Sequence, residues 1–502
     1  MARASNTTLT ALILLSFGLG GCELASKRLS DSDVASFAVT LNQAAQVADE
    51  PPEGRLDIHD AVARAIKYNA SIRAEELATA LAWAKVNAAN VSMLPSLVAD
   101  SRYYGRSEPA LSRSTTSSVY STSSAATGLA SELKLSWNIL DFGIAYIRSE
   151  QAADKADKQF EESRRITTKV IEETRSAYWR SVAFNHLTTR LERLRPDIKR
   201  MLDTSKQASL DEAIDPLITI NYQRDILNLQ RELNQLHTSL AGSEARLRQL
   251  TGLSQTAPLR LKPPRTGSPA SSLIGLPEDD VMSALNNRYE IRQLMLDLRI
   301  TDREVNATIL QLLPGISLAR GLASDSNSFL LHANWTTWGA QFAWNLINLA
   351  HLPRQIDVLD AQMQVYRQQA VALAATIAMQ VYVARAQIEA QRKAFRDTVV
   401  FAAIQNKMLK QVKAAAAVGT VAPQALVKEQ LATLLADVRA RLAQADLEGA
   451  EAAYAASISR DLPASIEIQN SPVAALAEAL RAGAQTSWRP QHRMLQMTDS
   501  GG

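Results

Sequence analysis

Glu132-Leu133-Lys134-Leu135-Ser136-Trp137-Asn138-Ile139 alternates strictly between apolar and polar residues. Leu133, Leu135, Trp137 and Ile139 fall on one side, and Glu132, Lys134, Ser136 and Asn138 on the other. That is the period of a β-strand with one apolar and one polar face. The pattern returns from Trp338 to Leu346, where Trp338, Ala340, Phe342, Trp344 and Leu346 oppose Gly339, Gln341, Ala343 and Asn345. A weaker strand candidate precedes each, Leu97 to Tyr104 after Pro95 and Ile316 to Arg320 after Pro314. Each half of the chain therefore contributes one hairpin, about four strands in all.

Working outward, the two halves share one plan. Leu94-Pro95 recurs as Leu313-Pro314, Trp137-Asn138 as Trp344-Asn345, and Pro216 as Pro423. The interval from Trp137 to Pro216 equals that from Trp344 to Pro423. From Leu94 to Trp137 the chain is a dozen residues longer than from Leu313 to Trp344. The excess falls in the Ser/Thr-rich stretch from Ser107 to Thr127, read as a polar surface loop. An internal two-fold repeat follows.

The remainder reads as helix. Residues 144–207 and 349–417 contain no glycine, and helices of about 65 residues are roughly 100 Å long. Val170, Ala177, Phe184, Leu187, Leu191, Leu194 and Ile198 recur at three-four spacing. Ile226, Leu229, Leu233, Leu236, Leu240, Leu247 and Leu250 answer them, as coiled-coil-like packing requires. Pro196 is expected to kink the first long helix, and Pro353 to sit harmlessly near the start of the second. The apolar stretch Ala370–Ala384 is too short for a transmembrane helix.

The first segment is an address label. Residues 1–21 combine Arg3 with a short apolar core from Leu9 to Leu19, as an export signal does. Leu19-Gly20-Gly21-Cys22 resembles a bacterial lipobox, which implies cleavage, acylation of Cys22 by chains such as palmitate, and outer-membrane sorting permitted by Glu23. An ordinary secretory signal with an incidental cysteine is the alternative. Cys22 is the single cysteine, which excludes an intrachain disulfide and a cysteine-built metal site. The 502 residues are 46% hydrophobic and 21% charged, which excludes disorder throughout. The net charge of +3 gives no reason to expect nucleic acid.

Four strands with one bare apolar face need burial or lipid, and they are too few to close a membrane barrel. Pooling the strands of three copies gives twelve. The faces bearing Leu133, Leu135, Trp137, Trp338, Phe342 and Trp344 then meet lipid, and the Lys, Gln and Asn faces line a wet lumen. The long helices hang from one end of that barrel, side by side, as a hollow tube.

The chain resembles the outer membrane efflux protein family, the TolC-type outer-membrane factors of Gram-negative bacteria, and specifically their lipoprotein subgroup. The resemblance rests on the Leu-Pro and Trp-Asn pairs, Thr251-Gly252-Leu253 and the Val418-Gly419-Thr420 turn, and covers roughly residues 55–462. It implies a mixed α and β membrane protein. The expected assembly is a homotrimer whose 12-stranded β-barrel continues into a long periplasmic α-helical barrel. It implies an outer-membrane exit channel of a tripartite efflux or secretion system, with a periplasmic adaptor and an inner-membrane transporter as partners. The expected organisation is a signal at 1–21, a periplasmic segment at 22–54 and a first repeat at 55–253. A connection at 254–277, a second repeat at 278–462 and a tail at 463–502 without strong period follow.

The family often carries acidic residues shortly after the second-repeat glycine, ringing the entrance. This sequence has Pro423, Gln424, Ala425 and Lys428 there. The tip turns expected at the entrance hold Glu212, Asp215 and Pro216 in the first repeat and Gly419, Thr420 and Pro423 in the second. By resemblance these are possible adaptor contacts. The plainer reading of Asp211, Glu212 and Asp215 is a solvated turn between helices.

Catalysis finds no support. His59, His186, His237, His332, His351 and His492 are far apart, and no nucleophile elbow, phosphate loop or zinc pattern occurs. No enzyme activity and no cofactor are expected. Carboxylates among basic residues, such as Glu161-Glu162 before Arg164-Arg165, read as solvated faces. The rival class is a lipid-anchored periplasmic coiled-coil scaffold without channel activity, which leaves the Trp338–Leu346 alternation unexplained.

Overall fold

The computed structural model describes residues 29–46, 54–113, 115–116, 119–208, 216–256, 259–262, 276–459 and 471–481. It divides into two units, Met1–Asp49 and Glu50–Gly502. The first contains helix α1 (Asp31–Gln46). The Ser30 and Asp33 side chains each accept from the other's backbone N–H at 3.2 Å, a reciprocal cap that satisfies two otherwise orphaned donors.

The second unit begins with α2 (Ile58–Tyr68) and α3 (Ala70–Val91). Strands β1 (Ser96–Gly105), β2 (Ala110–Arg113), β3 (Tyr120–Ser124) and β4 (Thr127–Asn138) follow. Next come α4 (Ile139–Ala208), α5 (Pro216–Leu240), α6 (Ser243–Leu250), α7 (Pro277–Asn287) and α8 (Tyr289–Leu310). The order ends with β5 (Gly315–Asp325), β6 (Asn334–Ala343), α9 (Asn348–Ala417), α10 (Pro423–Ser457) and α11 (Val473–Arg481).

Local chemistry sets the boundaries. Helix α3 closes in three tight turns, Ser92, Met93 and Leu94 donating to carbonyls three residues back, before Pro95 forces extended backbone. At the end of α8, Leu312 and Leu313 do the same before Pro314. The strand-to-helix junctions use asparagine. Asn138 Oδ1 accepts from Leu140 at 3.0 Å, covering a donor that the start of α4 leaves open, and Asn345 Oδ1 accepts from Ile347 at 3.2 Å in the turn that precedes α9. Helices α4 and α9 both run 70 residues, about 105 Å at helical rise.

The main core is a seam of α4, α5 and α10. Leu187, Ile226, Leu233 and Leu431 are fully buried within it, each such side chain stabilising by about 1.5–3 kcal/mol over exposure. The α4 and α5 positions were legible at three-four spacing; that α10 joins them in the seam was not foreseen. A second cluster joins Ile377, Val381, Ala384 and Ile388 of α9 to Ala450 and Tyr454 of α10.

Several expectations need correction. The stretch 107–127 is not a plain loop, because β2 and β3 pair in it as a separate antiparallel hairpin. Its strands bury neither face, so composition alone hides them. Helix α4 runs on through Pro196, with Leu191 and Ile198 buried on either side. Pro353 lies deeper in its helix than the start, at the sixth residue of α9. The described part of the tail is helical: Val473, Leu476 and Ala477 of α11 pack on Ala63 of α2. Arg481 holds α11 to the α2 cap, pairing with Asp57 at 2.9 Å and also with Asp60. The connection between the halves is anchored too, since Leu56 accepts from Lys262 at 2.9 Å and Tyr178 Oη donates to the Lys262 carbonyl at 2.8 Å.

Candidate functional site

The four-stranded sheet has the order β1-β4-β5-β6, antiparallel throughout. Its register gathers the apolar residues onto one face: Leu97 opposite Leu135, Leu133 opposite Leu322, Trp137 opposite Leu318, and Ile316 opposite Phe342. That face is uncovered in the single chain, with Trp338 86% and Phe342 65% exposed. The opposite face carries Asp100 opposite Glu132, Lys134 opposite Gly321, and Ser317 opposite Gln341. Gly321 is there for space: a Cβ would stand 2.6 Å from Thr337 Oγ1 and 3.3 Å from the Leu133 carbonyl. Strands β1 and β6 are the outer strands, so one edge of each lacks a partner among the described residues.

Five of the six residues singled out for the apolar face lie in strands on that face: Leu133, Leu135, Trp137, Trp338 and Phe342. Trp344 does not. Strand β6 ends at Ala343, and the Trp344 indole donates to the Leu312 carbonyl at 3.0 Å, which fixes it in the strand-to-helix junction.

At the far end of the long helices, Gly419 adopts φ +75°, the left-handed region that glycine enters without strain. Gly419 donates to the Ala416 carbonyl at 3.2 Å and Thr420 to the Ala415 carbonyl at 3.0 Å. This pair of bonds ends α9 and turns the chain. Pro423 then opens α10 at a position where no N–H is needed. Pro216 opens α5, whereas Asp211, Glu212, Asp215 and Cys22 lie outside the described residues. Lys428, which stands where acidic residues were considered, donates to Asp225 of α5 at 2.6 Å and holds that carboxyl below its usual range. Sequence reasoning missed this tie between the two turns' helices because the partners are far apart in the chain.

The expectation that Glu161-Glu162 and Arg164-Arg165 form a solvated face is half wrong. Glu161 and Arg164 pair at 2.6 Å with side chains only 7% and 8% exposed. Burial pushes the Glu161 carboxyl up and the Arg164 guanidinium down, so both charges are held against desolvation. Along the same α4–α8 contact, Lys158 binds Asp297 at 2.7 Å and Arg299 binds Asp154 at 2.5 Å. Arg148 and Glu304 extend the ladder toward the sheet. The result is a rigid polar seam between two helices rather than a pocket for chemistry. Among the described residues no three His, Cys, Asp or Glu groups gather as metal ligands.

Helix α9 presents a second uncovered apolar surface. Among the described residues it alone is long and apolar enough to cross a bilayer, and 22% of its apolar window is buried. Ile377, Val381, Ala384 and Ile388 face the core, while Val371, Met379, Tyr382 and Val383 stay exposed.

No protein-family model matches the sequence, and no curated protein matches it. Solved structures do. The open-state MtrE outer membrane channel of Neisseria gonorrhoeae aligns at TM-score 0.60 and 15% identity, over 80% of this chain and 88% of that one. The CmeC outer membrane channel of Campylobacter jejuni aligns at TM-score 0.60 and 12% identity, over 88% and 94%. The outer membrane protein VceC of Vibrio cholerae aligns at TM-score 0.58 and 12% identity, over 80% and 95%. At such identities the likeness speaks for the fold. The chain has the fold of the TolC-type outer-membrane efflux channels.

Proposed function

We propose that three copies of this chain form an outer-membrane exit channel of a tripartite efflux or secretion system. A periplasmic adaptor and an inner-membrane transporter deliver solutes to it. The observation that carries this reading is the four-stranded sheet, with a bare apolar face, a polar face and two outer strands. Bilayer core offers no partner for an open sheet edge, so such a sheet spans a membrane only when closed. Three copies close twelve strands, with Leu133, Leu135, Trp137, Trp338 and Phe342 toward lipid and Lys134, Glu132 and Gln341 toward the lumen. Helices α4 and α9, of equal length and each preceded by a Trp-Asn pair whose asparagine accepts from the N–H two residues on, support an internal two-fold repeat. The exposed side of α9 is then the contact with the neighbouring subunit in the helical barrel. Glu212, Asp215, Pro216, Gly419, Thr420 and Pro423 are the tip turns that face the adaptor, and acylation at Cys22 adds a lipid anchor.

The test is the native mass of the detergent-solubilised chain by light scattering, with the detergent contribution subtracted. Three copies, followed by conductance in planar bilayers, are the expected result. A detergent-free soluble monomer would sink the channel and favour a lipid-anchored scaffold.

A further inference from the structure

A cavity of about 480 Å³ opens beside α4, between α10 and the segment at Leu261. Arg55, Asn185, His186, Arg190, Arg193 and Arg441 supply its polar lining. Several other α4 arginines are matched: Arg148 with Glu304, Arg164 with Glu161, Arg165 with Glu162 and Arg175 with Glu448. Among the described residues, none of the four cavity arginines has a carboxylate within ion-pairing distance. The carboxylate that acts on Arg441, Asp437 of α10, accepts from the Asn406 amide at 3.0 Å. The Nε2 atom of His186 is buried with no hydrogen-bond partner. Burial first, and the Arg441 and Arg190 charges next, push that imidazole down to about 4. The positive charges of Arg55, Arg190, Arg193 and Arg441 thus converge on one concavity.

Solvated arginines on a long helix are ordinary, but four unmatched guanidiniums around a ligand-sized hollow are not. Guanidinium forks suit oxyanions, which accept two parallel bonds from each. We propose that this cavity binds a phosphoryl group of a water-soluble ligand. Arg190 lies about 75 Å along α4 from the sheet at helical rise, too far for a headgroup of a bilayer around the strands. The exclusion of a lipid headgroup rests on the channel reading, whereas phosphoryl binding itself does not.

The test is calorimetric titration of the full-length protein in detergent with sodium pyrophosphate, at ionic strength held constant by sodium chloride. Saturable binding is expected, weakened about tenfold or more by Arg190→Gln or by Arg441→Gln. Arg354→Gln, which removes the same charge from exposed α9, should leave it unchanged. Pyrophosphate should also slow phenylglyoxal labelling of Arg190 and Arg193 in the unmodified chain, a readout that needs no variant to fold. No saturable binding, or binding that both cavity variants leave intact, overturns the proposal. Citrate binding as tightly as pyrophosphate overturns the phosphoryl assignment and hands the cavity to a polycarboxylate.

Discussion

Asp280 is the residue whose loss should be felt most. Its side chain is buried between Arg385 of α9 and the Tyr454 hydroxyl of α10, which donates at 2.6 Å, so α7, α9 and α10 meet on one carboxylate. Asp280→Asn keeps the shape but removes the buried carboxylate that Arg385 and Tyr454 share. A loss of about 3–5 kcal/mol is expected for a broken buried pair, read as a lower denaturant midpoint at unchanged slope. His186 gives a pH signature. Its folded value of about 4 lies below the ordinary 6.5, so the unfolded chain binds its proton first as pH falls. Stability should therefore decline from about pH 6.5 and level off near pH 4. Burial is the main cause, the charges of Arg441 on α10 and then Arg190 on α4 lower the value further, and Asp437 on α10 opposes them. Comparing thermal midpoints of the unmodified chain and His186→Gln isolates the slice. Equal pH slopes in the two would refute it.

At the scale of elements, the long helices, the four strands of the main sheet and the junctions between them were legible because each has its own period or punctuation. Trp137-Asn138 and Leu313-Pro314 state where a strand gives way to a helix, or a helix to a strand. Three other features were not legible, each for a physical reason. Leu431 and Val438 of α10 sit in an alanine-rich stretch whose stripe is too narrow to stand out. The charges of Glu161 and Arg164 read alike in water and in a buried seam; only packing against α8 separates the two. Helix α11 is nine residues long and depends on α2 for its existence. The candidate site divides the same way, since alternation located the sheet faces, while Trp344 was misplaced by one residue past the strand end. Where the tip turns join α4 to α5 and α9 to α10, relative movement of the helix pairs is the proposed opening step. Cysteines introduced at Leu217 and Gln424, bridged by a bifunctional maleimide, should block export, and a reductively cleavable linker should restore it. Transport that continues with the linker in place would exclude that motion.

The whole molecule combines two kinds of contact with very different demands on the chain. Helix α4 meets α3, α5 and α8, neighbours brought together within one chain, and its ion ladder to α8 needs no second copy. The sheet is another matter, because among the described residues the outer edges of β1 and β6 have no strand partner. Assembly should therefore be concentration-dependent. Refolding from urea into detergent is expected to recover helical signal quickly and independently of protein concentration. Heat-resistant oligomer should accumulate more slowly, at a rate that climbs steeply with concentration. Oligomer appearing at a concentration-independent rate would count against strand sharing. Bare strand edges have a cost in the cell as well: a lone subunit awaiting its neighbours is a template for promiscuous strand addition. Its journey to the membrane is thus a race between correct partnering and aggregation, one in which an escorting chaperone that masks β1 and β6 would decide the yield.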